Sequence, residues 1–427
     1  MNELVLLITL FLALCFLRVP IAFAMTGASL VTIVQLGLDP VQIPSQMMRG
    51  LNLFPLLAVP LYILAGEIMN RSDLTDRLMG LARAIVGGVR GSLAQINILT
   101  SMLLGGVSGS STADAAGIGS VMIPAMTKAG YTRSFAVVIT AMSSTMGNII
   151  PPSIFMIVYG ALSGVSIGAL FLGGAIPGLL IGLSQMGMTA WLARKHDFPS
   201  EPRMNPGERF TAFRRSALAV GIPFVVVGGI ATGIMSPTEA AAALVIYAMI
   251  VSIFIYRSLS VRQLPSVLKN AAYQASLPLF TIASASIFGW LVGYLRGPDY
   301  IVQLITAWTD SPLLIVLLLI GFLLIMGTFL SEIATIIIFM PVIQRLGDLA
   351  QMDPVHLGVL VVMTLCLGLI TPPYGICLLI AAQIGEIPLA KALKDAMGFF
   401  VLFILVIALL LFVPELVLLL PELLLGR

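Results

Sequence analysis

A polar, glycine-rich stretch inside an otherwise apolar chain is the feature that most limits the fold. Residues 105–120 read GGVSGSSTADAAGIGS, with five Gly, four Ser, one Thr and one carboxylate. Small polar side chains offer the backbone competing hydrogen bonds, and Gly adds conformational freedom, so a helix is expected to break there. Inside a bilayer such a break survives only where it is buried in protein or lines a wet cavity. A second break, MGNIIPPS, covers 146–153, and its consecutive prolines remove two backbone donors. The pairing recurs downstream as GTFLSEIAT at 327–335 and GLITPPYG at 368–375. Matching interruptions in two halves of a membrane chain point to the binding site of a secondary transporter.

Composition sets the class. Of 427 residues, 59% are hydrophobic and 10% charged, with a mean hydropathy of +1.08. Soluble domains carry roughly 25% charged residues, so the chain is expected to be a polytopic membrane protein. Cys15, Cys366 and Cys377 lie in apolar runs and read as core residues, and two His leave no material for a His-based metal site. The N-terminus lacks the basic region of a secretory signal. No P-loop motif occurs, so energy is not expected from ATP bound in that way.

Apolar runs place helices at 3–17, 19–37, 52–70, 134–163, 166–193, 217–235, 237–256, 276–296, 355–385 and 397–420. Re-entrant hairpins are expected at 93–127 and 312–346, each with two apolar arms and a polar tip. A first repeat then spans 1–193, a polar linker 194–215 and a second repeat 216–427. With five crossings before the linker, the halves have opposite orientation. Placing the linker in the cytoplasm puts 18 of the 22 Lys and Arg inside and 4 outside, which obeys the positive-inside rule. The fold class expected is an all-α polytopic membrane protein of two inverted repeats, each with a re-entrant helical hairpin and a broken transmembrane helix. Stretches 74–91 and 256–272 are basic and amphipathic, as expected of helices in the headgroup plane or of simple connectors.

SGSSTAD and IIPPS, then SPTEAA at 236–241 and GLITPPYG, together resemble the large membrane subunit of tripartite ATP-independent periplasmic (TRAP) transporters along essentially the whole chain. The resemblance implies an ion-transporter-superfamily fold of elevator type in the bacterial inner membrane. It implies Na⁺-coupled import of an organic acid: a C4-dicarboxylate, sialic acid, or another sugar or keto acid. The implied partners are a small four-helix membrane subunit, a periplasmic binding protein and the lipid bilayer, with no nucleic acid. It implies no cofactor and no transition metal, with Na⁺ as the coupling ion. One Na⁺ site is implied at Ser108, Gly109, Ser110, Ser111, Asp114, Gly147, Asn148 and Pro151. A second is implied at Gly327, Thr328, Ser331, Glu332, Gly368, Thr371 and Pro372. The substrate is expected at Ser110, Ser111, Thr112, Ser153, Thr371 and Tyr374. Asn148 stands where many members have Pro, and Ser331-Glu332 stands where many have Asp.

Bland readings compete at several positions. Asp114 suits an N-cap of the second hairpin arm, Glu239 the first turn of a helix and Glu67 an ion pair with Arg71. Arg296 reads as a snorkelling helix end. A stand-alone carboxylate symporter of the same architecture, a channel, or an intramembrane serine protease built on Gly106-Val-Ser-Gly109 are the other function classes. The protease needs a base near Ser108, and only His196 and His356 are available.

Overall fold

Helix ends in this chain are set by capping side chains and prolines, and they cut its apolar runs into twenty α-helices among the described residues. The structure, a computed structural model, describes residues 2–373 and 375–426. The first part holds α1 (Asn2–Phe16), α2 (Ile21–Gln35), α3 (Gln42–Leu51), α4 (Ala58–Arg71) and α5 (Leu74–Val86). The first hairpin is α6 (Ser92–Ser108) and α7 (Ser111–Lys128). The first broken helix is α8 (Arg133–Ser144), a 3₁₀ turn (Thr145–Asn148) and α9 (Ile154–Ser163), followed by α10 (Ile167–Lys195).

The same order recurs. There follow α11 (Pro206–Ala231), α12 (Pro237–Ile250), α13 (Leu264–Tyr294) and α14 (Gly297–Thr306). The second hairpin is α15 (Pro312–Phe329) and α16 (Glu332–Leu349), and the second broken helix is α17 (Pro354–Gly368) and α18 (Ile376–Ile384). The chain closes with α19 (Leu389–Phe412) and α20 (Glu415–Leu425). Six helices among the described residues are long and apolar enough to cross a membrane. The chain is an all-α polytopic membrane protein.

Both hairpins and both broken helices lie where the sequence puts them, but several helix boundaries differ. The helix expected at 52–70 runs from Phe54 to Arg71, and a short helix not expected, α3, precedes it across a 71° bend, where Pro55 removes a donor. The expected linker at 194–215 ends early. Asn205 and Glu208 form a reciprocal capping box with Pro206 at the first helical position, so α11 starts at 206 rather than 217. Instead of a separate amphipathic piece at 256–272 and a span from 276, α13 runs unbroken from Leu264 through Pro278. The last helix starts at Leu389 and stops before Pro414, not at 397 and 420. Neither α14 nor α20 was expected.

Packing between the halves is reciprocal. The second hairpin arm of the first half, α7, packs on α18 of the second, and α16 of the second packs on α9 of the first. Around this centre, α4 packs on α12 and α13, α2 and α3 pack on α13, and α5 packs on α11. Glu67 fastens α4 to α13. Its Oε1 accepts from Arg71 Nε at 3.0 Å and Asn270 Nδ2 at 3.2 Å, and its Oε2 accepts from Gln274 Nε2 at 3.0 Å. The expected pair with Arg71 is present, and two amides from a helix two hundred residues away complete it. Glu239 is the acid of a capping box with Ser236, as its first-turn position suggested.

Three hydrogen bonds to one buried carboxylate are a large share of a local interface. Glu67→Ala is expected to destabilise the protein by about 1–3 kcal/mol. A fall in the thermal unfolding midpoint of purified protein in mild detergent checks this, and an unchanged midpoint would refute the fastening role.

Candidate functional site

Each hairpin tip meets a broken helix, and glycines make the meeting close. At the first tip, Gly109 ends α6 in the left-handed region with φ +60, where a side chain is strained. A Cβ there would stand 2.8 Å from the Pro152 carbonyl oxygen. Ser110 then caps α7, its hydroxyl accepting from the Ala113 amide at 3.4 Å. The capping role entertained for Asp114 therefore belongs to Ser110. Asp114 sits in the first turn of α7, buried at 4% exposure, and its Oδ1 accepts from Ser108 Oγ at 2.8 Å.

Asp114 Oδ2 has no partner among the described residues, and neither does Asn148 Oδ1 on the facing 3₁₀ turn. Gly147 precedes Asn148 and packs on the tip: a Cβ on it would reach Asp114 Oδ2 at 2.7 Å and the Ser111 amide nitrogen at 3.1 Å. Ser111 Oγ donates across the gap to the Thr145 carbonyl at 3.2 Å. The structure therefore brings Ser108, Gly109, Ser110, Ser111, Asp114, Gly147 and Asn148 together, with Pro151 buried beside them. Two buried oxygens without donors, in a cradle that a Cβ would fill, are a donor set that suits a hard cation.

The second tip is built alike with different ligands. Ser331 caps α16, its hydroxyl accepting from the Ala334 amide. Glu332 follows at 5% exposure, and its Oε1 lacks a partner among the described residues. Gly327 and Gly368 cross so closely that a Cβ on Gly368 would stand 2.8 Å from the Gly327 carbonyl oxygen. The hydroxyls of Thr328 and Thr371 donate to Ile325 and Leu367 carbonyls of their own helices. Pro372 is half-buried at the break. α18, which begins at the second break, packs on α7, which begins at the first tip.

Of the hydroxyls expected at the substrate, Ser110 and Thr112 are half-buried and share a hydrogen bond at 3.2 Å. Ser153 is fully buried; its hydroxyl donates to the Asn148 carbonyl and accepts from the Met156 amide, so it caps α9. Tyr374 lies outside the described residues. A buried network escaped the sequence reading altogether. Asn97 Nδ2 donates to Thr140 Oγ1 at 2.7 Å, and Ser101 Oγ donates to Ser143 Oγ at 2.9 Å, bracing α6 against α8 below the first tip. Its only signal in the sequence is polar residues at helical spacing in apolar helices.

Comparison with known proteins decides the family. The model for the tripartite ATP-independent periplasmic transporter DctM component matches residues 8–416. The chain belongs to this family. It is 34% identical over 97% of both chains to the sialic acid TRAP transporter large permease protein SiaM of Vibrio cholerae. It is 33% identical to the C4-dicarboxylate TRAP transporter large permease protein DctM of Pseudomonas aeruginosa, over 86% of each chain. Among solved structures, MtrF of Neisseria gonorrhoeae shares the fold with a TM-score of 0.59 at 14% identity, over 87% of this chain and 84% of that one. The YdaH transporter of Alcanivorax borkumensis does so with a TM-score of 0.55 at 15% identity, over 86% of each. This large permease is thus a multi-pass protein of the inner membrane and a transporter subunit, not an enzyme. Consistently, Ser108 donates to Asp114, while His356 Nε2 bonds the Leu410 carbonyl.

Two glycine substitutions separate tip geometry from general helix effects. Gly109→Ala meets both a left-handed φ and the Pro152 oxygen, and is expected to cost at least about 1–2 kcal/mol. Gly117→Ala, mid-helix in α7 with nothing within 4 Å of the added Cβ, is expected to be neutral or to stabilise by about 0.5–1 kcal/mol. Unfolding midpoints of the two variants, measured side by side, check the contrast.

Proposed function

We propose that this large permease imports an organic acid in symport with Na⁺, by elevator movement of the hairpin module within an assembly of three proteins. The observation that carries the coupling is the first tip, where Asp114 Oδ2 and Asn148 Oδ1 are buried without donors around Gly147. A cation supplies the missing partner there. Helix polarity supports an anionic cargo beside it: α6, the α8 segment, α15 and α17 end at the breaks, and α7, α9, α16 and α18 begin there. Carbonyl ends favour the cation, and amide ends favour a carboxylate. A cation bound first lowers the cost of desolvating the acid.

The proposed sites are the two Na⁺ sets named from the sequence, the second centred on Glu332 with Gly327 and Gly368. Ser110, Thr112 and Thr371 are the half-buried hydroxyls available to the acid. The two inverted repeats, 1–193 and 216–427, supply one hairpin and one broken helix each to the moving module, and the reciprocal packing of α7 on α18 and α16 on α9 supports that pairing. The module is tied to α14 by an exposed pair, Arg345 to Asp299 at 3.0 Å, of a kind that contributes at most about 1 kcal/mol and so permits movement. A small membrane subunit and a periplasmic binding protein complete the system. Sialic acid and C4-dicarboxylates, carried by the relatives' systems by name, are the first substrate classes to assay.

Uptake of labelled organic acids into proteoliposomes holding this chain and its small subunit tests the proposal, with and without an inward Na⁺ gradient and the binding protein. Uptake is expected to need both. Gradient-driven uptake without the binding protein would replace it with a stand-alone symporter, and gradient-independent flux would replace it with a channel. Asp114→Asn keeps the bond from Ser108 and removes the charge. It is expected to raise the Na⁺ concentration for half-maximal uptake about tenfold, or roughly 1.4 kcal/mol.

A further inference from the structure

Away from the tips, a cavity of about 520 Å³ opens at the arginine-rich end of the molecule. It lies between the end of α5, the first turn of α6 and the last turns of α10. Arg90 and Arg194 stand in its wall, with Val86, Val89, Met186 and Ala190 giving an apolar remainder. Arg90 also meets Asp197, Nη1 to Oδ1 at 3.3 Å, through side chains that are both exposed. That pair engages one of the five donors of its guanidinium. Arg194 has no carboxylate partner among the described residues.

Two further observations give the cavity a ligand chemistry. Trp191, at 59% exposure, sits one turn from Arg194 with Lys195 Nζ 5.3 Å over its ring. Exposed Trp with flanking cations marks the membrane–water interface. Gln95 lines the cavity at 4% exposure. Its Nε2 donates to the Met186 carbonyl at 2.9 Å and so joins α6 to α10 beside the cavity. The site therefore offers two cations for a phosphate and an apolar wall for the start of an acyl chain. Basic pockets between membrane helices on the cytoplasmic side bind anionic headgroups in this way.

We infer that the cavity is a specific site for an anionic glycerophospholipid such as phosphatidylglycerol. Its phosphate pairs with Arg90 and Arg194, and the start of an acyl chain lies on Val86, Val89, Met186 and Ala190. A zwitterionic ethanolamine lipid is disfavoured because its ammonium would approach two guanidiniums. The lipid seats the amphipathic arm α5 against α6 and α10 at the headgroup level.

Native mass spectrometry of the purified complex with its small subunit tests this, with defined lipids added in mild detergent. Phosphatidylglycerol is expected to be retained over phosphatidylethanolamine and phosphatidylcholine. Arg90→Gln and Arg194→Gln are each expected to lower its retention about fivefold. Asp197→Asn releases Arg90 and leaves retention equal or higher, which separates headgroup pairing from damage to the loop. Monodisperse elution on size exclusion confirms that each variant is folded. Equal retention of all lipids, or retention insensitive to both arginines, overturns the inference. So does displacement by millimolar inorganic phosphate, which would mark a free-anion site, or exclusion of lipid by the small subunit, which would mark a subunit seam.

Discussion

In hydrocarbon every backbone amide and carbonyl must find its partner within the protein, and four breaks put this chain under that constraint at its centre. It meets the constraint with serine caps and with closeness. Ser110, Ser153 and Ser331 each take up an amide at the start of a half-helix. Gly105 lies against the Met146 carbonyl and Gly147, and Gly368 lies against Gly327, so each hairpin covers the broken backbone of its partner helix. Larger side chains at these crossings would separate the elements and leave both breaks open. The outer helices can remain ordinary spans because the centre satisfies itself.

That solution leaves oxygen in excess. Among the described residues, Asp114 has one oxygen bonded by Ser108 and one with no donor, and Glu332 Oε1 and Asn148 Oδ1 add further acceptors without partners. Uncompensated buried carboxylates are costly, and on the proposed coupling a bound cation offsets that cost. The two tips are joined through packing, since α18 from the second break lies on α7 from the first tip. On the proposed coupling, occupancy at one tip alters the cost of charge at the other, and substrate and ion need not touch to influence each other.

The breaks were legible because Gly, Pro and small hydroxyl residues act locally, and a local signal survives in one sequence. Hairpins 93–127 and 312–346 were found for that reason. Helix ends were less legible where a cap hides in polar sequence: Asn205 and Glu208 look like linker until their reciprocal bonds are seen. Short helices such as α14 fall below the length that apolar runs reveal. What could not be read at all is partnership across the chain. Gln274 and Asn270 complete Glu67, and Asn97 meets Thr140, through contacts that no spacing announces.

The two tips are also unequal in a way that bears on their work. At the first, Ser108 and Ser111 direct hydroxyls to Asp114 and across the gap to Thr145, so the side chains there are positioned by one another. At the second, Thr328 and Thr371 turn their hydroxyls back to their own helices. Glu332 is longer by one methylene than Asp114, and its Oε1 has no partner among the described residues. A rigid set of short ligands selects for ion size, whereas a single flexible carboxylate with carbonyls adapts to what is offered. On the proposed mechanism the first tip is therefore the selective Na⁺ site, and the second is the one whose ion can vary without loss of the fold.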